Sequence, residues 1–294
     1  MLFRVGRCDS ESLAELLCDC VWEVEQMTAG LPDEATLREL LSRVYGGSNQ
    51  LERALAGLQS LGLQQGSVGS QMGDCDLDLL RADRCGFPEV VYGPGKPPEL
   101  VVRILERQGE FGQDSLVTRV TQQQQDAVLA AIPGAICNHV ARTIRVSRGI
   151  EGERDCGAVL VVSAGSSDLA VAEEAAETVR WMRVPVRLIQ DVGVAGPHRL
   201  QQHIAEFRQV AAIVCVAGME AALPSVLGGY AACPVIGVPT SVGYGASLGG
   251  LTAMLSMLTS CASGVVCVNI DAGFKGGYVA GMIASRTAKA ALRA

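Results

Sequence analysis

Apolar and polar positions along this chain follow two rhythms. Up to Leu63 the apolar residues recur at three- and four-residue steps, as in LLCDCVWEVEQM, which predicts a helical extension over residues 1–63. Ser12 with Glu15 has the spacing of a capping box, Leu31-Pro32-Asp33 restarts a second helix, and Gln50 to Leu63 carries a third. Polar, glycine-rich QQGSVGSQMGD then reads as a linker over 64–75. Beyond it, Glu89 to Tyr92 predicts a strand, Gly93 to Lys96 a turn, and Pro97-Pro98 the start of a helix through Gln108. Ser115 to Val120, Gln122 to Ala131 and Ile136 to Val146 follow as strand, helix and strand, a small α/β unit over 76–150.

From Gly157 the second rhythm is regular. Apolar strands at Val159–Val162, Val186–Ile189, Ile213–Val216, Val235–Val238 and Val265–Ile270 alternate with helical segments. Short apolar strands alternating with helices predict a doubly wound parallel sheet with helices on both faces, over 151–294. Ligands of such sheets gather at the carboxyl ends of the strands. Three turns there carry chemistry: SAGSSD after the first strand, DVGVAGPHR after the second and AGMEAALP after the third.

In SAGSSD, the small residues Ser163, Gly165, Ser166 and Ser167 let a backbone approach a ligand closely, and Asp168 opens a helix whose free N–H groups attract anions. Asp168 as a plain N-cap is the competing reading. His198 and Arg199 put a titratable donor beside a fixed cation at a helix start. Gly218 and Glu220 lie in the third turn. Burial of Glu220 at that corner would raise its pKa toward a general acid or base, whereas exposure would leave it a carboxylate at the positive end of a helix. Asp78, Arg81 and Arg84 fall at steps of three, placing two guanidiniums on one helical face, as a solvated charged face would also do.

Composition narrows the classes. Apolar residues make up 49% and aromatics 4%, with 34 glycines, which suits α/β layers with many tight turns. A net charge of -7 argues against a nucleic-acid surface. The 11 cysteines include no C-x-x-C pair, and Cys18 and Cys20 are too close and too isolated to hold a metal, so reduced thiols and a cytoplasmic location are expected. The N-terminus lacks the apolar core of a secretory signal, and no unbroken apolar run is long enough to span a bilayer. No charged residue occurs from Ala221 to Ile270, a neutrality that predicts burial in an oligomer interface.

The ordered motifs SAGSSD, DVGVAGPHR, AGMEAALPS, PVIGVPTSVGYGAS, SCASGV and NIDAGF, preceded by Asp78-x-x-Arg81-x-x-Arg84-x-Gly-Phe-Pro-Glu-Val, resemble the LarB-type synthases of nickel-pincer nucleotide biosynthesis over residues 76–285. The second half also resembles aminoimidazole ribonucleotide (AIR) carboxylases, at Gly165 to Asp168 and Ala195 to Arg199. Ser166, Pro197, Ala221 and Ala272 depart from the residues those motifs lead one to expect. The resemblance implies an AIR-carboxylase-like fold and a carboxylase and hydrolase acting on nicotinic acid adenine dinucleotide. Carbon dioxide or bicarbonate would be the co-substrate, magnesium would serve the hydrolysis, and AMP would be released.

The same resemblance implies that Cys261 is the nucleophile, with Glu220 and His198 in proton transfer. Ser163, Gly165, Ser166, Ser167, Asp168, Arg199, Gly218, Arg81, Arg84 and Lys96 would hold the substrate; it does not identify the metal ligands. Cys261 precedes the last strand, at the rim opposite the three ligand turns, so a site shared between subunits of a symmetric homo-oligomer is expected. A carboxylase or mutase acting on aminoimidazole ribonucleotide, and a non-catalytic nucleotide-binding regulator, remain the alternatives.

Overall fold

The structure, a computed structural model, describes residues 75–149 and 152–287; the helices and linker expected before residue 75 lie outside the described residues. The described residues belong to one unit beginning at Gly73 and contain two sheets.

The smaller sheet follows a short helix α1 (Arg81–Cys85) and is built from β1 (Val91–Tyr92), α2 (Pro98–Glu110), β2 (Ser115–Thr118), α3 (Gln122–Ala131), β3 (Ile136–Asn138) and β4 (Thr143–Val146). Its order is β1-β2-β4-β3, with β1 parallel to β2 and the other pairs antiparallel. Proline at the first position of α2 costs no hydrogen bond there, and Thr121 with Gln124 closes a capping box on α3. The single strand expected from Ile136 to Val146 is instead a hairpin. Asn138 breaks it, because its side-chain oxygen accepts the N–H groups of Val140 at 3.1 Å and Ala141 at 3.0 Å and so supplies a turn the apolar pattern does not register.

The larger sheet comprises β5 (Val159–Ser163), β6 (Val186–Ile189), β7 (Ala212–Ala217), β8 (Val235–Pro239) and β9 (Val265–Cys267). All neighbours are parallel, in the order β6-β5-β7-β8-β9. Between the strands run α4 (Leu169–Trp181), α5 (Pro197–Gln201), α6 (Leu223–Gly228) and α7 (Leu251–Leu258), and α8 (Gly273–Ser285) follows β9. Successive strand residues face opposite layers. Val159, Val161, Val214 and Val216 join the core beneath α4 and α8, while Leu160, Val162, Ile213 and Cys215 join the core with Leu200, Leu223, Leu227 and Met257. Burial on both faces is why β5, β7 and β8 read as continuous apolar runs.

Helices α4 and α8 approach closely because Gly273, Gly277 and Gly281 recur at four-residue steps. A Cβ at those positions would fall within 3.0 Å of Val171 O, Ala175 O and Met182 Sδ. Phe87 and Leu116 of the smaller unit enter the same core, with the Phe87 ring 5.9 Å from Trp181 and 5.8 Å from Tyr278.

Candidate functional site

The order in which the parallel strands are added reverses between β5 and β7, since β6 lies on one side of β5 while β7, β8 and β9 are added on the other. Such a switch point leaves a crevice at the carboxyl ends of the two strands. The turn after β5 is SAGSSD, whose Ser166–Asp168 form a short 3-10 turn leading into α4, and the turn after β7 begins at Gly218. Both predicted motifs therefore meet at the crevice.

Asp168 ties the rim together. Its carboxylate accepts the Thr240 hydroxyl at 2.7 Å and the Gly165 N–H at 3.0 Å, linking the turns after β5 and β8. Burial pushes this carboxyl above its usual range; the Thr240 hydroxyl and the backbone of Gly165 and Gly218 oppose that, and Asp271 adds repulsion. Gly218 must lack a side chain, because a Cβ would lie within 3.0 Å of Val242 O and Thr240 Oγ1. Asp168 is thus more than the N-cap that spacing alone allows, and its lone pairs are spent inside the protein.

Ser163 is buried and its carbonyl accepts the Val192 N–H at 3.1 Å, while Ser166 and Ser167 stay exposed toward solvent. Arg199 folds back over Gly196 and pairs with Asp191 at 2.6 Å, leaving its side chain 38% exposed. His198 is exposed. Glu220 is exposed too, contrary to the buried-corner reading.

Backbone strain marks the same rim. Asp191, Met219, Ala221, Leu248 and Asp271, all after the ends of β6 to β9, have positive φ between 48° and 57° although none is glycine. Left-handed residues cost about 1–3 kcal/mol each and collect where a loop must aim its groups.

The rim also includes residues that the sequence pattern does not single out. Arg119, after β2, donates to the Asp271 carbonyl and lies 3.6 Å from buried Glu174. Glu174 in turn accepts the Phe274 N–H at 3.1 Å at the start of α8. Burial pushes the Glu174 carboxyl up, and Arg119 with the N–H groups of Phe274 and Gly273 counteracts it. Arg119 ends the buried strand β2, and a cation directly after four buried residues is the signal that could have found it. Thr240 and Asp271 lie within motifs already singled out, but hydroxyl and carboxylate roles there depend on contacts between distant strands.

Three predicted groups lie elsewhere. Arg84 makes a two-pronged pair with Asp78 at 3.0 and 2.6 Å, and Arg81 lies 4.0 Å from the same carboxylate, so both belong to a solvated charged face. Lys96 sits at the end of the small sheet, its carbonyl held by the Gln124 amide at 2.7 Å. Cys261 is exposed between α7 and β9; Ser260 bonds Ser225 of α6 at 2.7 Å, and Gly264 O accepts the first N–H of β8. Those contacts put Cys261 at the amino-terminal rim, opposite the strained loops.

A cavity of about 320 Å³ lies at the other ends of β2 and β6, lined by Arg145, Arg180, Trp181 and Arg183. Arg145 and Arg180 are already bound to Glu177 at 2.5 and 2.7 Å, so the cavity is walled by a closed ion-pair network. No group of three His, Cys, Asp or Glu among the described residues could hold a metal ion. The described cysteines are all free, and no helix among the described residues is long and apolar enough to cross a membrane.

Comparison with known proteins gives the chain's family. Residues 70–148 match a LarB/PurE-like N-terminal domain and residues 158–293 an AIR carboxylase domain. The chain is 39% identical over 216 residues to an uncharacterised protein of Methanocaldococcus jannaschii, covering 71% of this chain and 83% of that one. It is 29% identical over 132 residues to a probable N5-carboxyaminoimidazole ribonucleotide mutase of Methanobrevibacter smithii, covering 42% of this chain and 37% of the other. A crystal structure of a Treponema denticola PurE2 variant aligns with TM-score 0.35 and 18% identity over 42% of this chain and 76% of that one. The two matched domains support carboxylase-type chemistry in the family. In domain content and order, the chain belongs to the LarB-type family, which joins a LarB/PurE-like N-terminal domain to an AIR carboxylase domain.

Proposed function

We propose that this protein adds carbon dioxide to the pyridinium ring of nicotinic acid adenine dinucleotide and cleaves the phosphoanhydride, releasing AMP, as a step toward a nickel-pincer cofactor. The observation that carries the reading is the exposed thiol of Cys261 in SCASGV. A pyridinium carbon is electron-poor and does not attack carbon dioxide. Addition of the thiolate forms a C–S bond and turns the ring into a neutral enamine, whose carbon can then form the new C–C bond. Loss of the ring proton to a base and departure of the thiolate restore the aromatic pyridinium. Glu220 and His198, both exposed, are the groups proposed to move that proton.

The anionic part of the substrate would rest on the exposed serines of SAGSSD and on Arg199, whose bond to Asp191 it would replace. Water then attacks the phosphoanhydride. Asp168, Asp191 and Asp271 are committed to Thr240, Arg199 and Ser241, so no step is assigned to magnesium.

Cys261 and the strained rim lie at opposite ends of the sheet, so the reading includes a homo-oligomer in which one copy's Cys261 completes its neighbour's site. Exposed Tyr244, Leu248, Leu255 and Leu258 support an interface within the uncharged stretch, and α7 carries two of those leucines from one rim to the other.

The relative named as a mutase keeps a second reading in view, action on aminoimidazole ribonucleotide. That substrate is already an enamine-like nucleophile and needs no thiol. Incubation with each nucleotide and bicarbonate, followed by mass measurement of the products, separates the two. A carboxylated pyridinium mononucleotide with AMP is expected, and carboxylation of the imidazole alone would overturn the proposal.

A further inference from the structure

Strands β1 and β2 are parallel, so Tyr92 and Thr118 finish at one end of the small sheet; β4 is antiparallel to β2, so its start at Thr143 returns to that end. Three cations are thereby gathered: Lys96 on the turn after β1, Arg119 after β2 and Arg142 before β4. Their loops are fixed. The Gln124 amide donates to Gly93 O at 2.8 Å and Lys96 O at 2.7 Å, and the Gly93 N–H donates to Thr118 O at 2.9 Å. Arg142 donates to Val120 O at 3.2 Å and Arg119 O at 3.4 Å. Arg119 adopts a positive φ of 56° and bridges to the Asp271 carbonyl on the carboxyl rim of the larger sheet.

Of these cations only Arg119 faces a carboxylate among the described residues, Glu174 at 3.6 Å. Glu174 is buried and shared among Arg119 and the start of α8, and Asp271 accepts the Ser241 N–H at 2.8 Å. Lys96 and Arg142 have no carboxylate within ion-pair distance among the described residues. Tyr92 ends β1 just before the turn that carries Lys96; it is 54% exposed and, by its pairing with Thr118, faces the side of the sheet on which Leu116 meets α4 and α8. A point charge, two guanidinium forks and an aromatic face together suit a phosphate attached to a planar base.

We propose that Tyr92, Lys96, Arg119 and Arg142 form a subsite for a nucleoside monophosphate group, the half of the dinucleotide that does not react. The proposal rests on the dinucleotide reading above and gives the smaller unit a role in binding. That unit lengthens the carboxyl rim of the AIR carboxylase domain at the Asp271 corner, where a longer ligand can continue.

The test uses the full chain with AMP and nicotinic acid mononucleotide as separate probes in calorimetry. Against wild type, a Lys96→Ala/Arg142→Ala protein should bind AMP about tenfold or more weakly, the scale of lost charge-assisted hydrogen bonds. Tyr92→Ala should weaken AMP severalfold, and both proteins should hold nicotinic acid mononucleotide within about twofold of wild type. Arg199→Ala should show the reverse pattern, and unchanged circular dichroism checks the folds. AMP binding that is absent in wild type, or indifferent to all the rim variants, overturns the subsite. If AMP binding depends on the rim but no pyridinium nucleotide is ever carboxylated, the subsite stands and the proposed reaction falls.

Discussion

The two ends of the five-stranded sheet differ in kind. At the carboxyl end, loops from β5 to β9 are cross-bonded through Asp168, Thr240 and Asp271, and five non-glycine residues are held left-handed. At the amino end, Cys261 sits on an exposed loop steadied by the Ser225–Ser260 hydroxyl pair, flanked by an exposed leucine stripe on α7. One end has positioned polar groups and strain; the other has a thiol and an apolar surface. A parallel sheet places every strand-to-helix turn at one end, so a group preceding a strand cannot join that cluster within its own chain. The contrast teaches that a single copy holds two incomplete halves of the chemistry proposed for it.

The sharpest break of that contrast removes the thiol. Cys261→Ala should lower carboxylation by about three orders of magnitude or more while leaving the fold intact, as loss of a covalent nucleophile does. Mixing it with Arg199→Ala should restore part of the activity through hybrid sites. Full carboxylation by the alanine protein would remove the nucleophile role, and a monomer by light scattering would remove the shared site.

Next in size is the anion contact. Arg199→Ala should weaken dinucleotide binding by about 1.5–3 kcal/mol. An unchanged dissociation constant by calorimetry would dissociate the DVGVAGPHR turn from the ligand.

A matched pair of glycines then compares the two ends for stability. Gly218→Ala forces a Cβ within 3.0 Å of Val242 O and Thr240 Oγ1, and should cost about 1–3 kcal/mol in urea unfolding. At the amino end, Gly264→Ala meets Cys233 O at 3.8 Å, an ordinary contact, and should stay within about 0.5 kcal/mol of wild type. Equal effects would mean that the carboxyl rim is no tighter than the other.

The smallest effect is a pH dependence. Arg119→Ala takes away the cation facing Glu174, whose carboxyl burial already pushes up, so its folded-state pKa should rise further above the unfolded value of about 4.3. Folding then favours the protonated acid. The variant's deficit should be small near pH 4, grow as pH rises through the folded value and level off above it, reaching about 1 kcal/mol because Arg119 is partly exposed. Urea midpoints at about pH 4.5 and 7.5 check the sign; a deficit that shrinks at the higher pH would show that Glu174 is not charged beside Arg119.

The sequence by itself determined the layers. Strands buried on both faces must be apolar throughout, so β5, β7 and β8 were legible to within a residue or so; edge strand β6 was legible from its apolar positions although Arg187 is exposed, and the turns SAGSSD and AGMEAALP could be placed at strand ends from the sequence. Local chemistry was legible only where it stayed local: the hairpin at Asn138 escaped because one side-chain amide replaced a backbone turn. Only the tertiary structure decided that Asp168 serves Thr240, that Arg119 crosses to Asp271, that Glu220 is exposed and that Arg81 and Arg84 spend their charge on Asp78. Hydrophobic burial is non-directional and writes itself into residue order as a period, whereas a hydrogen bond between residues 72 positions apart depends on strand order and register, which no stretch of sequence records alone.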